Sequence, residues 1–460
     1  MLVTNRLEVE KCRILGASLD GNGESVLGVG PASEAPDFLA WSPNSDEIFW
    51  SLYATGGDPG AINVLDVGTG KSHRFVAIKD KLLSEIHWSP DGRALFVKYA
   101  QKGGNILRDQ IGFLRSGRED IEPITRDTNR YKTLTLSADG KTIATVLARS
   151  YASISVLSKT GRSFGESRTV LTEEGGLNER SAVSWSADRS LLVSNADRLL
   201  RLGVDGEIQT QLLADSGASV FDPSSCGRDH LVLTWLYHGG PGWWNVRRTD
   251  ADGSRPVRLT DGMADRGPVC SPDGRWVYYF DEAHDRISRV PSDGSGKAEG
   301  VFGIPKGYYL VWGVVSVSPD GRTIAAAMEQ GGHGSPRIAL FDLGSPHPPR
   351  MIEARRYLSG VQFAPDGKAI AYSSRENGVD NVWVQPLDGS AGHALTDFKS
   401  EQIWSFSLSP DGKSLALLRV RDRIAKFSQH AAGEVYLLAD FHPGDGCYEC
   451  KYAVHKSGSL

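Results

Sequence analysis

Residues 403–420 read Ile403-Trp404-Ser405-Phe406-Ser407-Leu408-Ser409-Pro410-Asp411-Gly412-Lys413-Ser414-Leu415-Ala416-Leu417-Leu418-Arg419-Val420, two apolar stretches around a four-letter turn phrase. Ile403 to Leu408 reads as a first strand, Ser414 to Val420 as a second, and Glu434 to Asp440 as a third. Asp-Gly between apolar runs signals a hairpin. Both central residues of a type I′ turn need φ > 0, which Gly and Asp tolerate best.

The phrase, intact or degraded, returns along almost the whole chain, with anchors at Ser42, Ser89, Ser137, Ser186, Ser224, Ser271, Ser318, Ala364 and Ser409. The separations are 47, 48, 49, 38, 47, 47, 46 and 45 residues, too regular for chance. This is a tandem array of nine copies. A second Asp-Gly turn follows in many copies, at Asp205-Gly206, Asp252-Gly253, Asp293-Gly294 and Asp388-Gly389, separating a third strand from a fourth. The fourth often ends in Leu-Thr or Ile-Thr, as at Ile124-Thr125, Leu171-Thr172, Leu259-Thr260 and Leu395-Thr396. Four antiparallel strands per copy make one blade of a β-propeller. The expected fold is therefore all-β. Runs such as Trp276-Val277-Tyr278-Tyr279-Phe280 and Asn381-Val382-Trp383-Val384 have strand composition, and no 3.6-residue stripe is sustained anywhere.

Nine motifs exceed the usual four to eight blades, so the array is either one unusually large ring or a complete ring plus part of a second propeller. The last copy supplies three strands before His442-Pro443-Gly444-Asp445-Gly446 interrupts it. Glu24 to Val29 is expected to complete that last blade, leaving no edge unpaired at the seam. Residues 1–440 are read as propeller repeats and 441–460 as a C-terminal tail.

Composition narrows the function. Lys and Arg number 51 against 56 Asp and Glu, a net −5, with no cationic excess for nucleic acid or an anionic membrane. The five cysteines, Cys12, Cys226, Cys270, Cys447 and Cys450, are too few and scattered for a disulfide framework, and the redox compartment stays open. The N-terminus lacks the apolar core of a signal peptide. The longest apolar stretch, Tyr308 to Val317, is half the ~20 residues a membrane helix needs. As given, the chain is expected to be cytoplasmic, with no direct membrane insertion.

The phrase Ser-Pro-Asp-Gly-Arg/Lys after Trp, Leu or Val, followed by an apolar strand, resembles the repeat of TolB-type propellers over residues 36 to 440. More narrowly, Phe363 to Tyr372, Glu376 to Gly389 and Leu395-Thr396-Asp397-Phe398 resemble the C-terminal propeller of bacterial membrane-bound Ser/Thr protein kinases. In that family a kinase and one transmembrane helix precede a sensor or interaction propeller. This sequence shows neither, so the resemblance implies a binding propeller, extracytoplasmic if the chain is a fragment of such a kinase.

Motifs for chemistry are sparse. Val76-Ala77-Ile78-Lys79 matches the kinase strand lysine but lacks a glycine loop, His-Arg-Asp and Asp-Phe-Gly, and falls on the outer strand of the first blade. Gly68-Thr69-Gly70-Lys71-Ser72 resembles the end of a P-loop, yet Leu65 replaces the first glycine, so it reads as an inter-strand turn. Gly-x-Ser-x-Gly and His-Glu-x-x-His are absent. Cys447-Tyr448-Glu449-Cys450, flanked by His442 and His455, has half the spacing of a zinc site. No catalytic residue, metal or cofactor is expected.

The candidate binding residues are aromatic. Trp235, Tyr237, His238, Trp243 and Trp244 lie across one hairpin joined by Gly and Pro, followed by Arg247. They would suit a stacking surface for a sugar, peptide or partner, although packing between blades uses the same residue types. His87, before Trp88 on an innermost strand, is a candidate for the channel face, or a structural or solvated histidine. The expected function is a non-enzymatic protein- or ligand-binding scaffold or sensor acting at a channel face. The alternatives are a channel-face hydrolase or lyase, or an accessory propeller of a peptidase or kinase.

Overall fold

The Ser-Pro-Asp-Gly phrase builds one turn, copy after copy. The anchor serine carbonyl accepts from the glycine N–H three residues on, Gly92 to Ser89 at 2.9 Å and Gly412 to Ser409 at 2.8 Å. The serine hydroxyl donates to the aspartate, at 2.6 Å for Ser89 and Asp91 and 2.7 Å for Ser409 and Asp411. The same Oγ accepts the N–H five residues on, from Ala94 at 3.0 Å and Ser414 at 2.9 Å. Only the glycine has positive φ, 69° at Gly92 and 66° at Gly412. The turn is thus type I followed by a left-handed glycine, not the type I′ expected, because proline fixes φ near −65° at the position where type I′ needs it positive. The Leu-Thr endings are equally structural. Thr125, Thr260 and Thr396 Oγ1 accept the N–H of Ile111, Val246 and Val382 on the neighbouring third strand at 2.9, 3.0 and 2.9 Å.

The computed structural model describes residues 2–7, 11–17, 23–31, 34–52, 60–101, 109–115, 117–126, 130–140, 142–145, 147–174, 177, 181–195, 198–214, 218–237, 244–331, 336–355, 358–424 and 434–437. The Cys447 and Cys450 pair and the tail lie outside them. The described residues are almost all strand, with one three-residue 3-10 turn at Glu282–His284. They divide into two units, one of residues 1–149, 238–242 and 423–460 and the other of 150–237 and 243–422.

The second unit is a six-bladed β-propeller. Five blades are consecutive four-stranded sheets whose innermost strands are Ala182–Trp185, Ala218–Cys226, Asp265–Cys270, Tyr308–Val317 and Leu358–Phe363. The sixth joins Gln402–Leu408 and Ser414–Ile424 to Leu147–Thr160 and Ser163–Glu174. Each innermost strand packs on the next and the last packs on the first. Closure is hydrogen-bonded. Val183 N donates to Ser405 Oγ at 3.1 Å and Trp185 Nε1 to Ser407 O at 2.9 Å. Between sixth and first blades, Ala152, Ile154, Leu191, Val193, Ala416 and Leu418 share one core, each at most 1% exposed. The long run Tyr308–Val317 is the innermost strand of the fourth blade, and no helix of the described residues is long and apolar enough to cross a membrane.

The seam differs from the sequence expectation in two ways. The run Glu24 to Val29, expected to complete the last blade, falls in the strand Ser25–Pro31, which is the third strand of a sheet with Leu2–Leu7 and Lys11–Ala17. Glu434–Leu437, expected as a third strand of the last copy, pairs parallel with Thr142–Thr145 in the first unit. The last copy takes its outer strands from the third copy instead. The physical reason is that the repeat specifies hairpins, which are local, whereas sheet partners are chosen by long-range packing. The Ser224 anchor is displaced too. It lies inside Ala218–Cys226 beside a bulge between Phe221 and Ser224, with Asp222 at φ 49°, and the hairpin turn itself comes three residues later, between Cys226 and His230, so the 38-residue spacing ends ahead of the turn.

The first unit holds the first three motifs. Beside the N-terminal sheet stand the four-stranded sheets that begin with Pro36–Trp41 and with Lys81–Trp88, and a three-stranded sheet of Thr135–Leu136, Thr142–Thr145 and Glu434–Leu437. The nine motifs are thus divided, six in the inner-strand ring of the second unit and three in the first unit.

Candidate functional site

Strand alternation places polar groups together at the inner edge of the first unit. Glu85 and Lys98 face each other across the pair Lys81–Trp88 and Ala94–Gln101. Lys98, 8% exposed, lies 3.2 Å from Glu85 Oε2 and 3.8 Å from Asp109 Oδ2, and donates to the Lys132 carbonyl at 2.7 Å. Its ammonium thus has three oxygen partners, which is what keeps a buried cation affordable. Burial pushes the Glu85 carboxyl upward, but His87, the Lys98 charge and the Leu134 N–H together hold it below the usual range. His87 Nε2 stands 3.9 Å from Glu85 Oε1, and its ring packs 5.1 Å from Phe38 on the preceding sheet.

Asp37 joins this group from the strand Pro36–Trp41. Its side chain reaches solvent, yet protein surrounds much of its carboxyl. Burial pushes the pKa up to about 6, with the Lys98 charge pulling down and Glu85 and Asp109 adding to the rise. No ion pair or hydrogen bond reaches its carboxylate from the other described residues. Beyond it the strands open onto a concavity of about 460 Å³ lined by Phe38, Trp41, His87 and Trp88 with Thr135 and Leu136. Trp88 is braced edge-on by Phe49, 5.0 Å away. Three successive sheets therefore contribute to one wall rich in aromatic side chains, and Asp37 directly precedes Phe38, one of the residues that line it.

The hairpin candidates lie elsewhere. Trp235 is 3% exposed within an inter-blade core of Leu192, Leu199, Leu231 and Leu233, and the Arg247 guanidinium covers its ring at 4.7 Å. Trp244 is half-buried, 5.0 Å from Phe221, with Arg266 5.9 Å from its ring. Tyr237 ends the strand His230–Tyr237, and His238 and Trp243 lie outside the described residues. Of the predicted residues that are described, His87 lines the concavity and the others do not. Val76 and Ile78 of the kinase-like phrase are core residues, with Lys79 exposed. In the P-loop-like turn Asp66 accepts from the N–H and hydroxyl of Thr69 at 2.7 and 2.9 Å.

Sequence reasoning missed Asp37, Glu85, Lys98 and Asp109. One signal was available, a lysine inside the apolar strand Leu95-Phe96-Val97-Lys98-Tyr99 two positions from neither turn nor edge. A charge there must find partners.

The propeller unit carries a second carboxylate pair. Asp265 and Asp281, 1% and 4% exposed, sit directly opposite on adjacent strands. Asp281 holds His284 Nδ1 at 2.8 Å and Arg286 Nε at 2.8 Å. Asp265 rests against Gly262 and Thr260, and burial foremost, with the Asp281 charge, pushes its carboxyl up to about 6. Next to it Gly267, at φ 64°, passes so near Gly313 that a Cβ would overlap the Gly313 carbonyl oxygen. A disulfide between Cys226 and Cys270 ties the ends of the second and third innermost strands.

No protein-family model matches the chain. Among solved structures it is similar to a chain of the nidogen/laminin complex, at 14% identity over 54% of this chain and 94% of that one, TM-score 0.41. TolB from Acinetobacter baumannii is 12% identical over 78% of this chain and 82% of its own, TM-score 0.40. An oligogalacturonate lyase in complex with manganese is 12% identical over 81% and 95%, TM-score 0.38. The propeller description rests on the sheets and the inner-strand ring themselves.

Proposed function

We propose that this chain is a non-enzymatic recognition scaffold and that the concavity of the first unit binds its ligand. The ligand is a protein segment or small molecule that combines an apolar or aromatic surface with a positively charged group. One observation supports this reading above others. Glu85 and Asp109 are engaged with Lys98, whereas the exposed Asp37, next in sequence to the wall residue Phe38, has no ion pair or hydrogen bond to its carboxylate among the described residues. An ammonium or guanidinium would meet Asp37 while its apolar portion lies on Phe38, His87 and Trp88.

The test is calorimetric titration of the full chain with short peptides that place Arg or Lys beside an aromatic residue, against neutral analogues. The basic peptides are expected to bind, with affinity falling as pH drops through about 6 and Asp37 takes up a proton. Asp37→Asn should weaken binding about tenfold, the equivalent of ~1.4 kcal/mol. Equal binding of basic and neutral peptides, or indifference to Asp37→Asn, would sink the reading. The elevated Asp37 carboxyl also favours a second reading, proton transfer in a channel-face hydrolase or lyase. Turnover of a bound ligand by the wild type but not by Asp37→Asn would select it.

A further inference from the structure

Among the described residues the N-terminal sheet of the first unit has three strands, and its outer strand, Ser25–Pro31, pairs with Lys11–Ala17 alone. Leu27 packs on the core shared with the next sheet, while Val26 and Val29 are 49% and 57% exposed. These are two of four large hydrophobic side chains that are exposed among the described residues. Open strand edges are ordinarily guarded by charges, inward-pointing lysines or bulges that turn the edge away. Ser25-Val26-Leu27-Gly28-Val29-Gly30-Pro31 carries no charge, and only its last residue is proline.

We propose that this edge is a homodimer interface, in which Ser25–Pro31 pairs antiparallel with the same strand of a second copy. Three observations favour a second copy over another occupant. In the four-stranded sheets the fourth strand runs antiparallel to the third, as Ser72–Ala77 does against Ala61–Asp66. A two-fold axis through the middle of Ser25–Pro31 delivers an identical strand in that direction, so each copy supplies the fourth strand the other lacks. An uncharged strand also meets itself without opposing like charges, with Val29 of each copy set against Leu27 of the other.

Sedimentation equilibrium of the full chain over about 1 to 100 µM tests this, a range that brackets micromolar affinity. The expected result is a mass approaching twice 49.9 kDa at the upper end. Val29→Lys should raise the dimer Kd about tenfold, because in this register each lysine stands opposite Leu27 of the second copy and diagonal to its own counterpart, close enough to repel it. Mixing Val29→Lys copies with Val29→Glu copies should restore the dimer, which a folding defect in either variant would not do. A wild type that stays monomeric throughout, a dimer indifferent to Val29→Lys, or failure of the mixed pair to associate would overturn the proposal. A monomer would leave the edge to a strand of some other protein.

Discussion

At the scale of single residues, the buried Asp265 gives the sharpest prediction. Its folded pKa, about 6, lies above the ordinary carboxylate value, so the folded protein binds this proton more tightly than the unfolded chain. Its contribution therefore favours folding increasingly as pH falls from 7 toward 4, and opposes folding when the group is ionised above about 6. Replacing it by asparagine, which cannot ionise, should remove that component. The difference in unfolding free energy between wild type and Asp265→Asn should change between pH 4 and pH 8 by on the order of 2 to 3 kcal/mol, the wild type gaining at acid pH. A difference flat in pH by denaturant titration would count against it. Sequence could not show this residue, because Asp265 acquires its environment from Asp281 across a strand pair and from Gly262 in the preceding loop. Ser409, Asp411 and Gly412 were legible at once, since every bond of their turn is made within five residues. Even there the Asp-Gly pair by itself signals type I′, and it is the proline before it, with φ held near −65°, that makes the turn type I.

At the scale of elements, the disulfide joins strands whose register already fits. Cys226 and Cys270 are the last residues of neighbouring innermost strands and close a loop of 44 residues in sequence. Such a link restricts the unfolded chain, by about 2 to 4 kcal/mol in typical cases. Cys226→Ser with Cys270→Ser should lower the thermal midpoint of the propeller unit, and reductant should lower the wild type toward the variant without affecting the variant. A midpoint unmoved by both would refute the link. The nine hairpins themselves were readable from apolar alternation and turn chemistry. Their partners were not, because nothing in Leu147–Thr160 distinguishes a strand that continues its own copy from one that completes the last.

At the scale of the whole molecule, the sixth blade makes a complete propeller from strands at the two ends of one unit. Ile154 and Leu418, both fully buried in the same core, are far apart in sequence. Truncation after residue 400, which removes Gln402–Leu408 and Ser414–Ile424, is expected to leave the other five blades without closure. Limited proteolysis should then cut within residues 147–174, which the intact chain protects. Equal protection in both would show that the seam is dispensable. The repeat count shows nine copies of the hairpin, and the division of six into a ring and three into a separate unit follows only from where these end strands dock.

The shared sixth blade also has a temporal meaning. During synthesis the hairpin of residues 147–174 leaves the ribosome long before Gln402–Val420 exists, with Ala152, Ile154 and Leu157 destined for full burial but still uncovered. At about 5 to 20 residues per second the wait lasts on the order of ten seconds or more. Throughout that interval the nascent chain displays an apolar hairpin with one edge still open, and a chaperone that shields it would set the yield of folded protein without altering its final stability.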